Sequence, residues 1–178
     1  MAFFVGGTAG VGEAAARAMA RYTWGDSHIT ICGRNREAAE SIIASLPEHP
    51  QLHYEFVASD ASLMRNVKTV TSDLLSRLPK PNYLVLSPGI LTAGGRTETE
   101  ESIDQKLALH CYARLKFIHD LLPLLRKAKR AGEDAKVLTV LGAGRGAKID
   151  LDDLGLKNYI LAKAAGAAQT YNDLMIEV

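Results

Sequence analysis

The sequence predicts a doubly wound parallel sheet, an α/β fold in three layers (α/β/α) with about five strands. Three observations point there. Short, continuous apolar runs alternate with helical patterns from the first residue onward, as strands covered on both faces require. A glycine-rich turn follows the first run directly. The 178 residues, 47% hydrophobic and 23% charged, suit one soluble domain over residues 1–178 whose core stands without staples.

The strand candidates are Ala2–Val5, Ile29–Cys32, Leu52–Val57, Tyr83–Leu86 and Val137–Leu141. Helical patterns fill the intervals. Val11–Tyr22 is alanine-rich and stops before Gly25, while Arg36–Leu46 follows the good N-cap Asn35 and stops at Pro47. Leu63–Leu78 follows Ser62 and ends before Pro79. A long helical tract covers roughly Glu100–Ala131, with Pro123 as a kink or break and Gly132 as the stop. A last helix runs from about Lys157 nearly to the end, after a loop over Gly142–Asn158. Right-handed crossovers between such elements build a parallel sheet, and a long loop at a strand's carboxyl end is a place where such folds put function.

Charge and cysteine usage narrow the function. Twenty-one basic against twenty acidic residues give a net charge of +1, with no bias toward nucleic acid or an anionic membrane. Cys32 and Cys111 lie far apart inside apolar segments, which suits buried, reduced thiols and a cytoplasmic location. No run approaches membrane-span length, and Met1–Val5 has no basic n-region of a secretory signal. His28, His49, His53 and His119 show no metal-ligand spacing, so no metal is expected.

The loop Gly6-Gly7-Thr8-Ala9-Gly10-Val11-Gly12 joins the first strand to the first helix. Glycines there permit a tight turn and let the backbone approach a pyrophosphate, which rests on the helix N-terminus, as in a dinucleotide-binding Rossmann fold. The alternative is a tight strand–helix turn with no ligand. About twenty residues on, where an NAD site wants a carboxylate, the chain has Gly33 followed by Arg34 and Asn35. A guanidinium binds a 2′-phosphate through two parallel hydrogen bonds, so NADP is the cofactor expected; otherwise Arg34 is a solvated loop charge.

With those residues placed, the order of motifs resembles the short-chain dehydrogenase/reductase family, especially fungal-type members with a Gly-Gly-Thr loop. Gly6, Gly10 and Gly12, with Thr8, Ala9 and Val11 between them, look like its cofactor loop. Asp60-Ala61 resembles the position that meets the adenine ring, and Ser87-Pro88-Gly89 occupies the place of the Asn-Ala-Gly segment after the fourth strand. Tyr159-Ile160-Leu161-Ala162-Lys163 gives the Tyr-x-x-x-Lys pair. The resemblance implies that Tyr159 protonates a substrate carbonyl oxygen and that Lys163 favours its tyrosinate and holds the nicotinamide ribose. The alternative for the pair is a packing tyrosine and a solvated lysine.

The chain departs from the family pattern at three points. The serine that hydrogen-bonds the substrate carbonyl maps to Gly142 (or Leu141, one register away), and 141–158 contains no serine or threonine. Loss of one such donor costs on the order of 10²–10³ in rate. The relay asparagine maps to His110, which can also pass a proton or can be a satisfied core residue. The chain also stops at Val178, before the family's last strands, so a fragment or a shortened relative with an open fifth-strand edge is expected.

The first expectation is therefore an NADPH-dependent oxidoreductase acting on a small-molecule carbonyl or alcohol, assembled as a homodimer or higher homo-oligomer through the long and last helices. The alternative is an NADP-binding regulatory or interaction protein with little redox chemistry. A non-redox acid/base reaction at Tyr159 stays open.

Overall fold

In a computed structural model, which describes residues 1–23, 27–48, 50, 53–92, 94–142, 144–158 and 161–176, five parallel strands form one sheet in the order β3-β2-β1-β4-β5. They are β1 (Ala2–Val5), β2 (His28–Gly33), β3 (His53–Ala58), β4 (Tyr83–Leu86) and β5 (Lys136–Thr139). β1 lies at the centre and pairs with β2 on one side and β4 on the other, Val5 standing opposite both Cys32 and Leu86. The doubly wound fold expected from the apolar runs is thus present.

The continuous hydrophobicity of β1 follows from its having two buried faces. Phe3 and Val5 point into one core, with Val67, Leu74, Leu86, Phe117 and Leu121. Ala2 and Phe4 point into the other, with Ala16, Ala20, Ile29 and Ile31. The two-residue period of a strand makes that division. α1 (Gly10–Tyr22) and α2 (Arg36–Ala44) cover the second face, and the alanines of α1 let its axis come close. α3 (Met64–Arg77) and α5 (Ala113–Arg130) cover the first. Asn35 caps α2 by accepting from the Ala38 N–H at 3.0 Å.

The long helical tract differs from the uniform helix expected over Glu100–Ala131. Residues 98–104 form a short bridged turn, Glu98 pairing antiparallel with Asp104. The helix then begins at α4 (Gln105–Leu107), where the Asp104 carboxylate accepts from the Lys106 and Leu107 N–H groups. A π-helical segment follows over Ala108–Tyr112, closed by the Ala113 N–H bonding back to the Ala108 carbonyl, and α5 continues from it. Pro123 lies within α5 without ending it. Its missing N–H weakens one turn, but Leu121, Leu124 and Leu125 are buried around it and hold the helix to the sheet.

α6 (Leu161–Ile176) packs separately from the sheet. Its Ala164, Ala167 and Ala168 meet Leu107, Cys111 and Leu156 in a third apolar cluster. It starts later than the expected Lys157, because residues 153–158 form a turn in which the Asp153 carboxylate accepts from the Lys157 and Asn158 N–H groups at 2.7 and 2.9 Å. Both cysteines are free and buried. Among the described residues, no helix is long and apolar enough to cross a membrane.

Phe117 joins the sheet to α5, its ring tilted against Phe3 at 5.9 Å between centroids and fully buried. Truncation leaves a cavity between two rigid layers. Phe117→Ala is expected to lower unfolding free energy by about 3–5 kcal/mol, read from chemical denaturation midpoints at unchanged slope.

Candidate functional site

Strand order runs one way from β1 through β2 to β3 and the other way through β4 to β5. Loops leaving the carboxyl ends of β1 and β4 therefore diverge, and a groove of about 790 Å³ opens between them. Loop 6–12 and the 87–89 segment form its floor. Their contact is too close for side chains. A Cβ at Gly12 would lie 2.2 Å from Ser87 Oγ and 2.4 Å from the Gly6 carbonyl oxygen. Gly6, at φ +81°, would meet the Pro88 nitrogen at 2.8 Å. Ser87 Oγ donates into the same contact, toward the Val5 and Gly6 carbonyls at 3.1 and 3.3 Å.

Gly10 differs. Its φ is +58°, and a Cβ built there would have nothing within 4 Å. It lines the groove where α1 begins, and Ala9, at the N-cap, offers no side-chain cap. The first-turn N–H groups of α1 are left for a ligand, with the positive end of the helix dipole behind them. On the wall of the same groove, Ser59 Oγ is buried with no hydrogen-bond partner among the described residues. Asp60 lies beside it and accepts from the Ser62 N–H at 2.9 Å.

Arg34 stands exposed where this groove meets a smaller one lined by Ser59, Asp60, Asn66 and Thr69. The absence of an acid before it has a steric cause. A Cβ at Gly33 would lie 2.8 Å from Thr8 Cγ2 and 3.0 Å from its hydroxyl, so Thr8 occupies the space that a carboxylate side chain would need.

At the far end, the π segment presents His110. Its Nε2 accepts the Ile90 N–H at 3.1 Å, which leaves any proton on Nδ1. Gly89 makes the approach possible, since a Cβ there would lie 2.9 Å from Nε2. Burial, then the Arg114 and Lys106 cations, hold the imidazole below its ordinary value, against a smaller pull from Asp104. Arg114 is 1% exposed. It donates to the Leu86 and Pro88 carbonyls at 3.0 and 2.7 Å, to Thr139 Oγ1 at 2.5 Å and to the Leu109 carbonyl at 3.2 Å. Burial brings its guanidinium down to about 10, still a cation at neutral pH. Burial pushes the groove thiol Cys32 up to about 12, which removes it as a nucleophile.

Most residues singled out from the sequence meet here: Gly6, residues 8–12, Arg34, Asp60, Ala61, Ser87, Pro88, Gly89 and His110 all line the groove. Two do not. Asn35 is spent on its helix cap. Lys163 Nζ reaches Asp150 at 2.8 Å, in a shallow groove with Lys148 and Leu151. Tyr159 lies outside the described residues. Arg114, Ser59 and Gln169 line the groove without having been singled out. A charge at 114 on the stripe Leu107, Arg114, Leu121, Ala128 was the available signal, because a seven-residue step keeps one helical face.

A sequence profile described as short chain dehydrogenase matches residues 1–146. The chain is 38% identical over 179 aligned residues to an oxidoreductase of Emericella nidulans, covering 99% of this chain and 52% of that one. It is 36% identical over 157 residues to an oxidoreductase of Emericella variicolor, covering 88% and 45%. The chain spans about half the length of these curated relatives. Among solved structures, a short-chain dehydrogenase from Streptomyces avermitilis superposes with a TM-score of 0.70 at 22% identity, over 99% of this chain and 57% of that one. One from Sphingobium yanoikuyae, in complex with NADPH, gives 0.71 at 16% identity, over 99% and 64%. These two share the fold. The fold is that of these short-chain dehydrogenase structures. The chain belongs to the short-chain dehydrogenase family.

The half-buried imidazole generates a pH prediction. Because folding lowers the affinity of His110 for a proton, the neutral ring's contribution is complete above about pH 6.5 and is lost as pH falls through the lower folded value. Melting temperature should fall from about pH 7 to about pH 5, and fall less steeply in His110→Asn. Parallel slopes would show that folding leaves the proton affinity of the ring unchanged.

Proposed function

We propose that the protein is an NADPH-dependent oxidoreductase acting on a small-molecule carbonyl or alcohol. The observation that carries this reading is one continuous groove. It runs from an uncapped helix N-terminus, past Gly6 and Gly12, where a side chain would clash, and past Arg34, to the half-buried imidazole of His110. The cradle fits a dinucleotide: Gly10 leaves open space, Ser59 Oγ waits without a partner among the described residues, and the first turn of α1 offers N–H groups to a pyrophosphate. Some structural neighbours carry such cofactors, an NADH-dependent reductase complexed with NAD among them.

Bound NADPH supplies the hydride. The chain's own groups would do the rest. Arg34 grips the 2′-phosphate, and Thr8, by filling the place of a carboxylate at position 33, tilts selection from NADH toward NADPH. Asp60 and Ala61 border the adenine end. Tyr159 gives its phenolic proton to the substrate oxygen during reduction and takes it back during oxidation, the role its place in the Tyr-x-x-x-Lys pattern implies. Lys163 favours the tyrosinate, and its exposed pairing with Asp150 is weak enough to exchange. His110 returns the proton toward solvent through Nδ1.

A second reading, an NADP-binding protein with little turnover, has Gly142 in its favour, since that position offers no donor to a substrate oxygen.

Arg34→Ala should weaken NADPH binding about tenfold or more while NADH affinity holds, measured by nicotinamide fluorescence titration. Equal losses for both nucleotides would remove the NADP assignment. Tyr159→Phe should abolish NADPH oxidation with a ketone panel while leaving nucleotide affinity intact, and unchanged turnover would rule out the proton-transfer role. Tight NADPH binding without turnover in the wild type would select the second reading.

A further inference from the structure

At its far end the groove is lined mostly by carbon: Ile90, Leu91, Leu109, Val140, Leu141 and Ala168. A substrate whose oxygen is to take a proton there needs a donor that polarises it, and the polar side chains of that end can be taken in turn. The Arg114 guanidinium is buried and already bonded to three carbonyls and the Thr139 hydroxyl. His110 Nε2 is occupied by the Ile90 N–H, in an approach for which Gly89 leaves room. Ser87 Oγ is turned down into the Gly6 contact. Gly142 has no side chain.

One remains. Gln169, on α6, lines the groove half-buried, and its carboxamide makes no hydrogen bond with any described residue. Its position is defined. A Cβ built at Gly142 would lie 3.1 Å from Gln169 Nε2 and 3.8 Å from Cδ, so the amide stands against the space that a side chain at 142 would enter. Ala164, Ala167 and Ala168 pack the same helix against the π segment, and Asn172, one turn on, donates to the His110 carbonyl at 2.5 Å. The element that carries Gln169 is therefore tied to the element that carries His110. A carboxamide has two N–H donors and a fixed plane, and a free one in an apolar, half-enclosed groove is costly unless something accepts from it.

We infer that Gln169 donates from Nε2 to the carbonyl oxygen of the substrate, supplying from α6 the hydrogen bond that Gly142 cannot make from the loop after β5. This rests on the oxidoreductase reading and names a donor within it. The substrate class follows: a ketone or aldehyde on an apolar body, whose one polar atom faces the amide while its carbon frame lies against Ile90, Leu109 and Leu141. No bond to Gln169 forms or breaks; the amide stabilises charge gathering on the oxygen as hydride reaches the carbon.

The test uses the full chain with NADPH and cyclohexanone, and has a readout free of turnover. Gln169→Ala and Gln169→Glu should each lower kcat/KM on the order of 10²-fold, with NADPH affinity and melting temperature unchanged. Glutamate keeps the size and removes the donor, so it separates chemistry from packing. Adding Gly142→Ser to Gln169→Ala should restore at least tenfold of the loss, because alanine clears the space that the amide occupies; in the wild type the same serine meets Gln169 and should bring no gain. In parallel, carbonyl-labelled ¹³C cyclohexanone titrated onto the protein with NADP⁺ should show a downfield carbonyl shift that both Gln169 variants lose. Variants that keep wild-type turnover and the same carbonyl shift overturn the assignment of Gln169 and leave the oxidoreductase reading standing. A wild type that neither binds NADPH nor shifts the ketone resonance overturns that reading, and this inference with it.

Discussion

A buried guanidinium with no carboxylate partner among the described residues sits where the sheet, the groove and the irregular helix meet. Placing the cation of Arg114 at 1% exposure is unfavourable unless every donor finds an oxygen. Four donor contacts do so, and each ends on a different part of the site: the end of β4 at Leu86, the groove floor at Pro88, the end of β5 at Thr139 and the π segment at Leu109. None of these oxygens belongs to a flexible side chain except the threonine. The guanidinium therefore fixes backbone to backbone, and the relative placement of the groove floor and His110 depends on it.

The π segment and that arginine explain one another. A regular α-helix returns each carbonyl to the N–H four residues on. The wider turn over Ala108–Tyr112 changes that count, and side chains from outside the ladder reach the segment's carbonyls, Arg114 Nε at Leu109 and Asn172 Nδ2 at His110. Such widened turns are found mostly at functional sites because they re-aim a side chain at a modest cost. Here the side chain is His110, turned onto the Ile90 N–H past a glycine that leaves it room.

The sheet and the end of the groove built on loop 6–12 were legible in the sequence because their causes are local. Continuous apolar runs mark strands with two covered faces, and Gly6, Gly10 and Gly12 fall within seven residues where the first strand gives way to the first helix. The far end was not legible, for a physical reason. Gln169 and Gly142 are 27 positions apart and on different elements, and tertiary contacts bring the amide to the glycine: three alanines of α6 pack against the π segment, and Thr170 hydrogen-bonds to Ala147 in the loop after β5. The π turn itself leaves no mark in a stretch such as Leu109-His110-Cys111-Tyr112, whose residue types suit an ordinary helix. Lys163 is a case where spacing alone points to one partner, Tyr159, while the structure rests its ammonium on Asp150. Thr8 shows the opposite gain: a residue read only as part of a loop turns out to exclude an acid at position 33.

The groove thus divides by rigidity. The end built on loop 6–12 is backbone and glycine, and at Gly6 and Gly12 the contacts leave no room for a side chain, so it suits a ligand of fixed shape. The groove's far end is built from side chains on four elements: the 87–91 segment, the π segment, the loop after β5 and α6. A donor there can move from one element to another without disturbing the cradle, provided it reaches the same point in space. Position 142 losing a side chain and α6 presenting an amide against that empty place are, on this view, two halves of one arrangement. What the chemistry constrains is the location of an N–H or O–H near the reacting oxygen, and helix packing can supply that location as well as a loop can.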